Sequence, residues 1–372
     1  MPKDRLLALD LVRGLCAVSV MVYHYFHHFD LASLYGFGKY GVYMFFILSG
    51  FAMHYVYGDR QIDEKMLRRF FIARVMRIAP LWILVVIFVM HSYPWNDHNI
   101  ARFLLNITFM FGITNPGLHS AVVGGWSIGI EFAFYAVFPI MLLFRGVTAQ
   151  ALLLVAAMIL RHYYMNDTMV HPSYPDGARW FQTHQLASFL AFFAAGTFGS
   201  TLYAKFRHEL DYLVKHYKLG TVLTLASVGL LALVLCWPWI FDIPVRPLLI
   251  GMTAQVLIVM GGITIFVGAL ARPTGVLKFF SSWIGDISFA VYLFHAYVLR
   301  GLDGFVEARG WELHWGYVMG TAVAITFVLA TLSYHFFEMP LRKFGYKLAT
   351  GGFKLPSIPR PDDPSKRPPG SV

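Results

Sequence analysis

The feature that most constrains this chain is a series of apolar runs, each about as long as a bilayer is thick. A membrane-crossing helix needs about 20 mainly apolar residues. The runs over roughly 6–28, 38–57, 78–93, 126–145, 148–165, 186–204, 219–240, 248–270, 283–302 and 315–337 meet that measure. In lipid, every backbone N–H and C=O must be satisfied within the protein, and a helix does this segment by segment. The sequence therefore predicts an all-α polytopic membrane bundle of about ten transmembrane helices. Composition agrees: 58% of the 372 residues are hydrophobic and 13% are charged, against about 45–50% and about 25% in soluble domains. A soluble enzyme is excluded, because it would leave too much apolar surface in water. A disulfide-stapled scaffold is excluded too, since only Cys16 and Cys236 are present and both sit in apolar runs, where they read as small core side chains. An eleventh apolar stretch, 100–114, is short, precedes Asn115-Pro116-Gly117, and reads as interfacial or re-entrant.

The net charge of +10 raises the question of nucleic acid, but the cations sort by membrane side instead. With the N-terminus inside, 22 of the 30 Lys and Arg residues fall on cytoplasmic segments and seven on outer ones, Arg13 lying within the first span. Cytoplasmic loops retain Lys and Arg, so both termini are expected in the cytoplasm, and no nucleic-acid partner is needed. Asp10 and Arg13 interrupt the first run, which therefore does not read as a cleavable signal. We expect a membrane domain over 1–345 and a disordered cytoplasmic tail over 346–372, rich in proline with nothing to bury from Lys354 onward.

Ionisable side chains inside the bilayer need a partner, a wet cavity or a function. Asp10, Arg13 and His24 lie in the first span, Glu131 in the fourth, Asp286 and His295 in the ninth, and His335 and Glu338 close the tenth. Arg13 and His24 are eleven residues apart, which returns to within about 20° of one helix face some 16 Å further along the axis (order-of-magnitude, ~1.5 Å per residue). Asp10 shares that face and can neutralise Arg13. The same spacing also suits a structural Asp10–Arg13 pair with His24 as an interfacial histidine. Ser127, Glu131 and Tyr135 form a polar stripe at helical spacing, and Glu131 is expected at the depth of His24, where it can orient the imidazole as a base or serve in helix packing. Ser288, Tyr292 and His295 share a face of the ninth span, with Asp286 opposite, as helix–helix contacts or as chemistry. Arg74 and Arg77, one turn apart at the expected mouth of the third span, suit phosphate but also suit the positive-inside bias. No GxGxxG, P-loop, HExxH or CxxC pattern occurs, so no metal site is expected.

These features together resemble acyltransferase family 3, membrane-bound enzymes that modify sugars and other hydroxyl acceptors, often with acetyl groups. The resemblance covers about residues 5–345 and rests on six segments in order. They are Arg13-Gly14 with His24; Gly38 through the Phe45-Phe46 pair to Ser49-Gly50-Phe51; Arg74-Val-Met-Arg77-Ile78-Ala-Pro80; Trp126-Ser127-Ile-Gly-Ile-Glu131-Phe-Ala-Phe-Tyr135; Gly285 to His295 through Ser288 and Tyr292; and Phe337-Glu338-Met-Pro340. The resemblance implies that His24 is catalytic, that Arg13 is an essential partner in its cavity, that Arg74 and Arg77 hold coenzyme A phosphates, and that Glu131 supports His24. It implies acyl-CoA, above all acetyl-CoA, as co-substrate with no tightly bound cofactor, a glycan or lipid-linked sugar as acceptor, and residence in the bacterial cytoplasmic membrane. Some relatives append an extracytoplasmic hydrolase-like domain, and transfer here is expected at the membrane site or with a separate partner. The outer loop from Tyr163 to His184, with Tyr174 and Trp180, suits either a stacked sugar ring or an interface belt. A secondary transporter and a flippase-type subunit of a glycan-export system are the alternatives, because buried Arg, His and Glu also mark ion pathways.

Overall fold

The computed structural model describes residues 5–170, 183–243, 249 and 251–350, and among these it contains helices and no strand. In chain order they are α1 (Leu7–His28), α2 (Tyr35–Tyr57), α3 (Glu64–Met90), α4 (Asp97–Ile107), α5 (Phe111–Thr114), α6 (Pro116–His119), α7 (Trp126–Met141), α8 (Val147–Val170), α9 (Leu186–His216), α10 (Gly220–Ile240), α11 (Gly251–Leu270), α12 (Gly275–Ala308), α13 (Trp315–Ser333), a π-turn (Tyr334–Glu338) and α14 (Met339–Thr350). Each of the ten expected spans falls on one of these helices. Among the described residues eight helical segments are long and apolar enough to cross a membrane, and α7 is a shorter apolar helix. Glycines, tyrosines and Lys39 dilute the hydropathy of α2, which is packed between α1 and α9 instead of facing lipid.

Unlike a soluble protein, the bundle exposes large apolar side chains as well as burying an apolar core. Leu84, Ile87 and Phe88 on α3, Leu152 and Val155 on α8, Val222 and Leu225 on α10, and Val328 and Leu332 on α13 are all exposed. Only an apolar solvent tolerates such a belt. Inside, small residues let helices approach closely. On α1, Gly14 faces Ile284 of α12, and Gly285 of α12 faces Asp10 in return, so these two helices lie nearly backbone to backbone where the ionisable residues cluster. Gly50 of α2 lies against the Phe193 carbonyl of α9, and Gly196 of α9 against the Ile47 carbonyl of α2.

Three boundaries differ from expectation. The α3 helix begins at Glu64, capped by the Asp63 carboxylate accepting from the Met66 N–H at 2.6 Å, so the helix starts well before the apolar stretch and carries Arg74 and Arg77 directly ahead of Ile78. The stretch 100–114 is α4 and α5, which with α6 fold back over the bundle. The buried Asn106 amide donates to the carbonyls of Arg102 and His119, each at 2.8 Å, and its oxygen accepts from the Ala121 N–H at 3.0 Å. Residues 346–350, expected in the tail, continue α14. The rest of that tail and the loop positions Tyr174 and Trp180 lie outside the described residues.

Candidate active site

Five helices meet around one cleft that encloses about 710 Å³, the space at its open mouth included. Its polar lining comes from Arg13 of α1, Arg74 and Arg77 of α3, Ser127 and Glu131 of α7, and Tyr292 of α12, with Ser49 of α2 among the rest. The small-residue contact between α1 and α12 sets the depth of Arg13 against Tyr292. On the same inward side of α7 as the polar stripe, Phe134 stacks on Phe193 of α9.

At the lower end of the cleft the charges form a chain. Arg13 pairs with Asp10 at 2.8 Å, Asp10 also accepts from Arg5, and Arg5 pairs with Asp286 at 2.8 Å. The expected neutralisation of Arg13 by Asp10 is thus observed, and Asp286 turns away from His295 as its position on the helix required. Arg74 and Arg77 differ: among the described residues neither makes a hydrogen bond or an ion pair, and the Arg74 Nε is buried without a partner. Two half-buried guanidinium groups without a direct partner line a cleft that also holds the Glu131 carboxylate, and donors left unsatisfied there cost free energy that a bound anion can recover.

The expected meeting of Glu131 with His24 does not occur. Glu131 instead accepts from the Ser49 hydroxyl at 2.8 Å and the Tyr135 hydroxyl at 2.7 Å, on the arginine side of the cleft. His24 meets His295, their ring nitrogens 3.0 Å apart. Each ring directs Nδ1 at the carbonyl one turn back, His24 at Val20 (3.0 Å) and His295 at Val291 (3.1 Å), which assigns the proton to Nδ1 in both. His295 Nε2 is then a lone pair and accepts from His24 Nδ1–H, in a bond shared with the Val20 carbonyl. That leaves His24 Nε2 as a basic nitrogen with no hydrogen-bond partner among the described residues. One turn below His295, the Tyr292 hydroxyl donates to the Gly124 carbonyl at 2.9 Å and contacts the Ser127 hydroxyl at 2.8 Å. The Tyr292 ring, which lines the cleft, lies 6.1 Å from that of His295.

Sequence reasoning missed three parts of this arrangement. Ser49 was legible as part of the Ser49-Gly50-Phe51 segment but not as a partner of Glu131. Lys39 is buried with Nζ 3.3 Å from His184 Nε2 and 5.3 Å from the Trp126 ring centre, a contact across distant segments that no spacing reveals. The partnership of His295 likewise depends on how α1 and α12 are rotated against each other. Among the described residues no three His, Cys, Asp or Glu side chains converge as metal ligands.

The acyltransferase domain family (Acyl_transf_3) matches residues 6–333, nearly the whole described bundle. The peptidoglycan O-acetyltransferase OatA of Listeria monocytogenes is 25% identical over 93% of this chain and 57% of its own length. The "Putative peptidoglycan O-acetyltransferase YrhL" of Bacillus subtilis is 26% identical over 91% of this chain and 55% of its own. The chain thus spans little more than half the length of these two relatives. The "Putative acetyltransferase ORF330" of Acidianus two-tailed virus is 25% identical over 89% of each chain. No solved structure matches. The cleft, its arginines and the neighbouring His24–His295 pair lie within the matched span, and the chain belongs to the Acyl_transf_3 acyltransferase domain family.

Proposed function

We propose that the protein is a membrane O-acyltransferase that moves an acyl group, acetyl above all, from cytoplasmic acyl-CoA to a hydroxyl of a glycan or lipid-linked sugar. The observation that carries this reading is a single cleft that runs from the unpaired Arg74 and Arg77 to Tyr292, one helical turn below the His295–His24 pair. The donor enters at the arginine end, which the positive-inside bias makes cytoplasmic, with its phosphates on Arg74 and Arg77. Its arm runs past Ser49, Glu131 and Ser127 toward Tyr292. The acceptor approaches from the opposite face, where the partly exposed His24 presents Nε2.

In the reaction, His24 Nε2 takes the proton of the acceptor hydroxyl as that oxygen attacks the thioester carbonyl carbon. The carbon–sulfur bond breaks, and the imidazolium returns the proton to the departing sulfur, releasing CoA as the thiol. His295 holds the imidazole and stabilises its charge through Nδ1–H, the part expected of Glu131. Glu131 faces the donor instead. Two of the relatives are named for peptidoglycan O-acetylation, which supports a cell-envelope glycan as acceptor and the bacterial cytoplasmic membrane as location.

The test is turnover of acetyl-CoA, read as free thiol, by the purified protein in nanodiscs with a glycan hydroxyl acceptor. General-base help is worth about 10²–10⁴-fold, so His24→Ala is expected to lose about that factor in kcat. The Arg74→Ala/Arg77→Ala double variant is expected to raise KM for acetyl-CoA at least about tenfold, since each charge-assisted bond is worth about 1.5–3 kcal/mol. Wild type that neither binds CoA nor turns it over, with both variants equal to it, refutes the reading and favours the transporter alternative.

A further inference from the structure

The arginine cluster extends beyond the sequence pair. The segment after α13 does not continue as a plain α-helix: Tyr334–Glu338 forms a π-turn before α14. One extra residue in a turn rotates the downstream helix by about 100°, and the rotation directs α14 back along α3. Gly345 of α14 lies against the side chain of Met76, next to Arg77. Glu338, on the π-turn and only 2% exposed, pairs with Arg342 at 3.0 Å. The pair is incompletely satisfied: Glu338 Oε1 and Arg342 Nε are both buried without a partner. Three guanidinium groups come together here, two of them already paired: Arg13 with Asp10 and Arg342 with Glu338. Arg77, which has no ion pair among the described residues, lies within electrostatic reach of both Arg13 and Arg342. Like charges gathered in a partly buried site destabilise the protein unless an anion joins them.

We propose that Arg342 completes a three-arginine phosphate site with Arg74 and Arg77, and that the buried Glu338 carboxylate positions it there. The ligand class is a nucleotide-linked phosphate anion, and the inference rests on the acyl-CoA reading of the cleft. Glu338 holds the Arg342 side chain toward α3 through one edge of the guanidinium, leaving the other edge for phosphate. Its negative charge also opposes the anion, so removing that charge without changing the shape strengthens binding.

The experiment is calorimetric titration of CoA, and of 3′-dephospho-CoA, into the full-length protein in nanodiscs. It compares wild type, Arg342→Gln, Arg342→Lys, Glu338→Gln and the Arg74→Ala/Arg77→Ala double variant, with thermal melting as the folding control. Arg342→Gln is expected to weaken CoA binding about ten- to a hundredfold with KM raised and kcat unchanged. Arg342→Lys recovers part of the loss, and Glu338→Gln binds CoA severalfold tighter than wild type. A merely structural Glu338–Arg342 pair gives no tightening in Glu338→Gln. If Arg342→Gln melts as wild type and binds CoA as wild type while the Arg74/Arg77 double variant does not, the third arginine is overturned and the donor reading stands. If Arg342→Gln does not fold, binding by Glu338→Gln equal to or weaker than wild type overturns the inference. If wild type binds neither CoA nor 3′-dephospho-CoA, both fall together.

Discussion

Replacing His295 separates its two possible roles, partner of the base or the base itself. In the resting pair, His24 Nδ1–H donates to His295 Nε2 across 3.0 Å, a neutral bond worth about 0.5–1.5 kcal/mol. When His24 Nε2 takes the acceptor's proton the same N–H becomes a cationic donor, and such a bond is worth about 1.5–3 kcal/mol. Only the difference, about 1–1.5 kcal/mol, acts on the transition state, which is roughly a 5- to 13-fold rate effect. The Val20 carbonyl remains on Nδ1 after substitution, so ring orientation is retained and the loss stays well below that of removing His24. We predict that His295→Leu lowers kcat by roughly 5- to 15-fold with KM for acetyl-CoA within about twofold, and that His295→Gln, whose amide oxygen can accept the bond, regains part of it. The assay is initial-rate thiol release in nanodiscs, with melting temperatures as the folding control. A His295→Leu variant that melts normally and turns over within twofold of wild type refutes the pairing argument. A variant as inactive as His24→Ala makes His295 the base and reverses the assignment.

Two further predictions concern the frame that holds this pair. Gly50→Ala drives a methyl group into the Phe193 carbonyl and should destabilise the protein by about 1–3 kcal/mol, read as a lower melting temperature in detergent. Gly199→Ala is the control, since its nearest neighbour is Phe51 at an ordinary 3.7 Å, and it should melt at or above wild type. Asn106→Leu strands the His119 carbonyl and the Ala121 N–H, at about 1–3 kcal/mol for each group left dry. It should lower the melting temperature more than Gly50→Ala, and an unchanged melting curve would mean that water reaches these groups.

Much of this protein is legible as sequence. Run length and the absence of charge place ten helices, because lipid leaves the backbone no other way to satisfy its hydrogen bonds. Helical period puts Arg13 beside Asp10 and aligns Ser127, Glu131 and Tyr135 on one face, since neighbours three and four apart on a helix are fixed by its 3.6-residue turn. The same period turns Asp286 away from His295. The limit of that reasoning is one helix at a time. It does not contain the depth and rotation of one helix against another, and every misjudged contact is of that kind. Glu131 is expected beside His24 and lies against Ser49 instead; the spacing leaves His295 open between packing and chemistry, and it meets His24.

The sequence by itself determined the class of fold, the helices and the face on which each polar residue stands, because these follow from the solvent and from local geometry. Only the tertiary structure decided which faces meet. That choice rests on contacts between segments far apart in the chain: Gly14 on Ile284 and Gly285 on Asp10, which set the depth of α1 against α12 and so bring His24 to His295, and the π-turn at Tyr334–Glu338, after which Gly345 of α14 packs on Met76 beside Arg77. A close approach of two backbones is specified by both partners at once, and no window of sequence along one of them holds it.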